Sequence, residues 1–422
     1  VPARNAWIVA GFLVGVLAGP LAVARAGLGQ TPGSFPPATP VPPDGSLSPY
    51  PTSLSTPPPS DSPPGLRAAS VILVDLEKGQ TLFAVAPHAR RPIASLTKVM
   101  TALLVLERTD SGDEVIASAR AAGESGSELG LRAGEVQTVE DLLEALMMQS
   151  ANDAAVALAE HVGGTVEGFV GEMNARAAEM GLKDTSFSSP NGLDDRGYST
   201  AADLARLTRA ALDVPRLAEV VRTQFADVPP PAPAGEPRHI QNRNALLWLY
   251  PGARGVKTGF TSAAGYCLIA AAEQGDEGLL GIVLGEPHQA WDDAATLLNF
   301  GFLAFDRSEV MPEGAPLDPV RIGRLEIPAV AAGTVTAYVD PDDPRISVSV
   351  RPRPGLSFPI REGDPLGQAL VSVRGVPVGR VPVVVGELPP LLGEGRPAWL
   401  RVVQAFVAVL ADIARRTAAE VA

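Results

Sequence analysis

The chain is short of cysteine, histidine, lysine and positive charge, and each shortage removes a class of explanation. Cys267 is the one cysteine among 422 residues, so no disulfide can form within the chain. It stands in the apolar run Tyr266-Cys267-Leu268-Ile269, which predicts a buried structural thiol and not a nucleophile. The four histidines, His88, His161, His239 and His288, are scattered without HExxH or comparable spacing. Neither a metal nor another cofactor is therefore expected. A net charge of −13 leaves no basic footprint, which excludes nucleic acid as an expected partner. Only four of the 34 Lys and Arg residues are lysine: Lys78, Lys98, Lys183 and Lys257. Arginine keeps its proton, whereas a buried lysine can release one. Each position that keeps lysine in so arginine-rich a chain is a candidate for amine chemistry.

What the chain does contain is 46% apolar residues, enough for real cores, together with 41 prolines and 42 glycines that predict linker. Residues 1–26 carry Arg4, an apolar run from Trp7 to about Gly19, Pro20, and the small-x-small sites Ala22-Val23-Ala24 and Ala24-Arg25-Ala26. This pattern predicts a secretory signal or an uncleaved anchor, and in both cases an extracytoplasmic protein. Residues 27–66, rich in Pro, Ser, Thr and Gly, read as a solvated linker.

Order is expected from residue 67. Two apolar runs joined by Glu77-Lys78-Gly79-Gln80 predict a hairpin. Ser95 to Glu107 reads as a buried helix, and Thr138-Val-Glu-Asp141 as a capping box opening another that runs to Met148. Helical stretches follow at about 152–161, 166–180, 200–213 and 215–224. Three strands are then expected at 255–260, 265–272 and 279–284, and a helix at 288–305. Strands at both ends of a helical block predict an α+β domain over 67–310, one antiparallel sheet with helices on its faces. Residues 311–392, short β-branched runs broken by Gly and Pro, predict a small all-β domain. In 393–422, Trp399, Val402, Val403, Phe406, Leu410 and Ile413 share one face of an amphipathic helix. That helix would lie on a membrane surface, or pack on the β domain or on a second copy.

Three short motifs occur in order: Ser95-Leu-Thr-Lys98, Ser150-Ala-Asn152 and Lys257-Thr258-Gly259. Each is weak alone. Ser95 or Ser150 would serve as a helix cap, and Lys257 as a charge blunting an edge strand. Together, each at the edge of a predicted element, they are specific. The surrounding text adds Ile93-Ala-Ser-Leu-Thr-Lys-Val-Met-Thr101, Ser189-Pro-Asn-Gly-Leu193, Tyr198-Ser-Thr-Ala201 with Asp203, and Gly255-Val-Lys-Thr-Gly-Phe-Thr261 leading to Ala264-Gly-Tyr266. Over about residues 67–305 the chain resembles the penicillin-binding and β-lactamase superfamily. Within it, the chain is most similar to the low-molecular-mass D-alanyl-D-alanine carboxypeptidases of peptidase class S11. The resemblance implies the DD-peptidase/β-lactamase-like fold and action on peptidoglycan stem peptides ending in D-Ala-D-Ala. It also implies inhibition by β-lactams.

Site roles follow from the same resemblance. Ser95 is the nucleophile and Lys98 its base. Ser150 relays a proton to the leaving amine, Asn152 binds the substrate amide, and Lys257 and Thr258 bind the terminal carboxylate. The backbone N–H groups of Ser95 and Phe260 form the oxyanion hole. Phe260 stands where relatives often carry histidine, a change that bears on substrate preference. Elementary chemistry agrees with these roles. Residues three apart at a helix start share a face. A serine hydroxyl needs a base, and burial beside a second cation, for which Lys257 is the candidate, lowers an amine's pKa. Gly259 lets a substrate backbone approach the strand. The rivals are a β-lactamase of the same fold and a non-catalytic wall-binding protein. Related lactamases use a Glu-x-x-x-Asn segment, but residues 186–198 carry Asp194 and Asp195 without that glutamate.

Overall fold

A computed structural model gives the fold and describes residues 53–56, 60, 63–230 and 237–388, with two helical positions, Ala405 and Val409, beyond them. The N-terminal signal or anchor, most of the linker and nearly all of the C-terminal amphipathic helix lie outside the described residues. Where the linker's end is described it is not simply solvated: Leu54 packs on the core, and the Ser55 N–H donates to Asp292 Oδ1 at 2.8 Å.

The central sheet holds β1 (Ser70–Asp75) and β2 (Thr81–Val85) from the start of the domain. Two small antiparallel pairs follow in the chain before the remaining strands of the sheet. One pairs β3 (Glu114–Ile116) with β4 (Val136–Thr138); the other pairs β5 (Phe225–Val228) with β6 (Arg238–Gln241). The sheet is completed by β7 (Ala253–Thr261), β8 (Gly265–Gln274) and β9 (Glu277–Glu286), in the antiparallel order β2-β1-β9-β8-β7. Strand alternation shows in its burial. Ile72, Val74, Ile269 and Ile282 join the core under the helical block, while Val71, Leu73, Leu268 and Val283 face the core on the other side. Both faces are covered, so the strands read as continuous apolar runs.

The helical block contains α1 (Lys98–Arg108), α2 (Val139–Glu144), α3 (Asn152–Gly163), α4 (Val166–Glu179), α5 (Ala201–Leu212) and α6 (Pro215–Arg222). A single turn, α7 (Leu246–Leu249), precedes β7, and α8 (Ala290–Ala304) covers the opposite face. The capping box forms as expected, with Thr138 Oγ1 accepting from the Asp141 N–H at 3.1 Å. The helix it opens becomes a wider, π-type turn over Ala145–Gln149, which the sequence pattern does not announce.

From β10 (Asp306–Met311) to Val385 the regular elements are strands: β11 (Pro316–Ile322), β12 (Leu325–Ala331), β13 (Val335–Val339), β14 (Ile346–Pro352), β15 (Pro365–Val373) and β16 (Val376–Val385). Five of them form the sheet β11-β12-β16-β15-β14, and β10 pairs with β13. Their valines and alanines bury a separate core. This β lobe meets the first hairpin's turn. Gln80 Nε2 donates to the Tyr338 carbonyl at 2.6 Å, and Tyr338 N–H returns a bond to Gln80 Oε1 at 2.9 Å. Among the described residues, no helix is long and apolar enough to cross a membrane.

Candidate active site

Ser95 sits one step before α1, in a tight 3-10 turn over Ala94–Thr97, and not inside the α-helix. It caps nothing: Ile93 and Thr97 hold the cap positions of the turn and the helix, without a side-chain cap bond. Its hydroxyl instead accepts from Lys98 Nζ at 3.0 Å. The fully buried Lys98 Nζ also donates to Asn152 Oδ1 at 2.7 Å and to the Asn191 carbonyl at 2.8 Å. Three acceptors converge on one amine and fix its direction. Ser150 is not among them. It is buried at φ 65°, in left-handed conformation. The π-type turn forces this kink, and α3 then begins at Asn152.

Asn152 is engaged at both ends, since its Nδ2 donates to the Ser125 carbonyl at 2.7 Å. The loop supplying that carbonyl is pinned by buried Asp153. This carboxylate accepts backbone N–H bonds from Leu129, Gly130, Leu131 and its own neighbour Ala154, all at 2.8–2.9 Å.

β7 is an edge strand of the sheet and runs beside the Ser95 turn. A Cβ on Gly259 would lie 3.1 Å from both Ser95 N and Ile93 O, so glycine is what lets the strand approach. On the facing loop, Gly192 does the same more severely: at φ +79° a Cβ there would fall 1.9 Å from Ala94 O. Lys257 on β7 is 1% exposed and donates to the Thr258 carbonyl at 3.0 Å. Phe260, 55% exposed, packs its ring on Tyr266 with centroids 4.5 Å apart.

Electrostatics follow from burial. Desolvation, and then the charges of Lys257 and Arg243, push the Lys98 amine well below the ordinary lysine range. Desolvation, and then Arg243, lower Lys257 to about 7. Arg243 is a cation that the motif reading missed. It follows β6, bonds through its N–H to the Met148 carbonyl at 2.9 Å, and donates to Ser127 Oγ. Asn191, outside the three motifs, orients Lys98 through its carbonyl and donates from Nδ2 to Glu124 at 3.0 Å. Burial raises the Cys267 thiol to about 11, as suits a structural cysteine.

An arginine-favouring chain thus buries two of its four lysines, close enough for one charge to act on the other, and one of them bonds a serine that a glycine of β7 approaches. Residues 58–288 match the S11 peptidase family model, described as D-alanyl-D-alanine carboxypeptidase. The chain belongs to this family. Similar proteins include D-alanyl-D-alanine carboxypeptidase DacF of Bacillus subtilis, 31% identical over 334 residues, covering 76% of this chain and 85% of the relative. Among solved structures, penicillin binding protein 5 from Haemophilus influenzae superposes with TM-score 0.62 at 27% identity, over 77% of this chain and 98% of its own. The Streptomyces K15 DD-transpeptidase does so at 0.53 and 32%, over 57% and 99%. This S11 peptidase therefore has the DD-peptidase fold with a C-terminal β-rich lobe. Lys98 bonds both Ser95 and Asn152, Gly259 of β7 approaches the Ser95 backbone, Lys257, Thr258 and Phe260 lie along the same strand, and Ser150 is buried just before α3.

Proposed function

We propose that the protein removes the terminal D-alanine from peptidoglycan stem peptides ending in D-Ala-D-Ala, through an acyl-enzyme on Ser95. The observation that carries this reading is the Lys98 amine, 3.0 Å from Ser95 Oγ and held well below its usual pKa. A neutral Lys98 takes the Ser95 proton as Oγ attacks the penultimate D-alanine carbonyl. The Ser95 and Phe260 N–H groups receive the oxyanion. The C–N bond then breaks, the leaving amine receives the proton by way of Ser150, and water later hydrolyses the ester. Lys257 and Thr258 take the substrate carboxylate. Asn152 turns its Nδ2 from the Ser125 carbonyl to the substrate.

β-Lactams present a carbonyl and carboxylate in similar array and acylate the same serine. A long-lived adduct is expected, because the carboxylates of residues 186–198 are occupied: Asp194 with Arg196, and Asp195 with Thr261 at 2.8 Å. Neither is the glutamate of a Glu-x-x-x-Asn segment, which argues against the lactamase alternative.

In this reading the enzyme is exported and works in the cell envelope on the outer face of the membrane. Residues 67–310 form its catalytic domain, 311–392 the β domain and 393–422 a peripheral membrane helix. The test is D-alanine release from a synthetic pentapeptide, together with fluorescent-penicillin labelling and intact mass. Wild type should release D-alanine and carry a persistent single adduct, and Ser95→Ala should do neither. Labelling of Ser95→Ala, or rapid penicillin turnover, would overturn the assignment.

A further inference from the structure

We infer that Asp195 and Thr261 form a latch that positions the oxyanion-binding strand against the wall holding Lys98. This inference rests on the acyl-enzyme reading above and adds two positioning residues to it.

β7 is an edge strand, and its last residue, Thr261, pairs with Gly265 at the turn into β8. The end of an edge strand has neighbours on one side only, and such ends open most readily. The oxyanion donor Phe260 N–H lies one residue before that end. Thr261 Oγ1 is bonded both ways. It accepts from the Ala264 N–H at 3.0 Å, which closes the turn, and it donates to Asp195 Oδ1 at 2.8 Å, across to the facing loop.

That loop is itself built into the catalytic machinery. The Asn191 carbonyl in it orients Lys98, Gly192 seats against the Ala94 carbonyl, and Thr101 Oγ1 donates to the Pro190 carbonyl at 2.6 Å. Farther along, Asp194 and Arg196 pair with each other, and Ser188 Oγ donates to the Asp194 carbonyl at 2.9 Å, leaving Asp195 as the carboxylate that reaches β7. One hydrogen bond therefore joins the wall carrying the oxyanion donor to the wall carrying the base's acceptor. Neither residue touches the reacting atoms. The latch acts by setting where Phe260 N–H stands relative to Ser95.

The oxyanion is absent from the ground state and develops on the way to the tetrahedral intermediate, so loosening its donor lowers kcat while leaving ground-state binding by Lys257 and Thr258 nearly intact. Misplacement of a donor by an ångström costs up to about 100-fold in rate, and loss of one about 100- to 1000-fold. A bond that loosens the donor without removing it belongs at the low end.

The experiment measures kcat and KM for D-alanine release, and the penicillin acylation rate, on the full chain. The variants are Asp195→Ala, Asp195→Asn, Thr261→Val, Thr261→Ser and Asp195→Ala/Thr261→Val, each with its Tm. Asp195→Ala and Thr261→Val should lose about 10- to 100-fold in kcat and in acylation with KM little changed. Asp195→Asn and Thr261→Ser, which keep the acceptor and the donor, should recover most of it. The double variant should be no worse than the worse single one. Wild-type kcat in Asp195→Ala, a Thr261→Ser as poor as Thr261→Val, or losses that multiply in the double variant would overturn the latch. An inactive and unlabelled wild type would instead overturn the acyl-enzyme reading, so the two failures are separable.

Discussion

Replacing Lys257 with methionine should destroy activity and stabilise the protein, by an amount that depends on pH in a fixed direction. Lys257 is 1% exposed, and its pKa falls from the ordinary 10.5 to about 7. In the unfolded chain the amine holds its proton up to about pH 10.5; in the folded protein it does so only up to about 7. Between these values the unfolded state binds more protons, so stability rises with pH. The cost of the buried charge is full below pH 7, falls by about 1.4 kcal/mol per pH unit above it, and vanishes near the unfolded value. The shift from 10.5 to about 7 corresponds to roughly 5 kcal/mol at the acid end. The bond to the Thr258 carbonyl is lost in the variant and offsets about 1–2 kcal/mol of that. Lys257→Met should therefore be stabilised by about 3 kcal/mol at pH 6, with the difference gone or reversed by pH 10. Urea unfolding of both proteins at pH 6, 7, 8, 9 and 10 measures this. A stability difference that stays constant across the series, or grows with pH, would refute the reasoning.

The same substitution removes a cation that depresses Lys98. The acid limb of any residual penicillin acylation should then move to higher pH in Lys257→Met and stay put in Lys257→Arg, as rate-against-pH profiles would reveal. The close approach at Gly192 gives a contrast within one residue type. Gly192→Ala drives a Cβ into the Ala94 carbonyl and should cost several kcal/mol and the activity, whereas Gly130→Ala, also at positive φ but facing open space, should cost about 1 kcal/mol by thermal unfolding.

The three motifs were legible because their chemistry rests on side chains whose spacing follows helix and strand periods. Lys98 one turn from Ser95 and Lys257 on an apolar strand are of that kind. Arginine bias made both lysines conspicuous. The fold class was legible for a related reason: runs such as Ser70–Asp75 and Glu277–Glu286 are apolar on both faces because helices cover both. What the sequence hid is what tertiary contact creates. A backbone carbonyl, such as that of Asn191, carries no letter of its own. Arg243 matters because the β5–β6 hairpin delivers it beside Ser127, a neighbour far away in the chain. The left-handed Ser150 depends on a π-type turn that no residue in Ala145–Gln149 signals. The anchoring of Leu54 and Ser55 on the α8 side runs against a composition that reads as solvated linker.

The paired bonds between Gln80 and Tyr338 bear on where the β lobe is held. A side-chain amide stands in for a peptide group there, docking the β lobe on the turn between β1 and β2. Strand register puts that turn at one end of the sheet, with the β8–β9 turn, whereas Gly259 and Ser95 lie toward the other. The lobe is thus a handle fixed to the heel of the sheet while the chemistry sits at its toe. Among the described residues, this contact therefore lies at the end of the sheet away from Ser95 and Gly259, so the lobe can be held or displaced without touching the Ser95 turn.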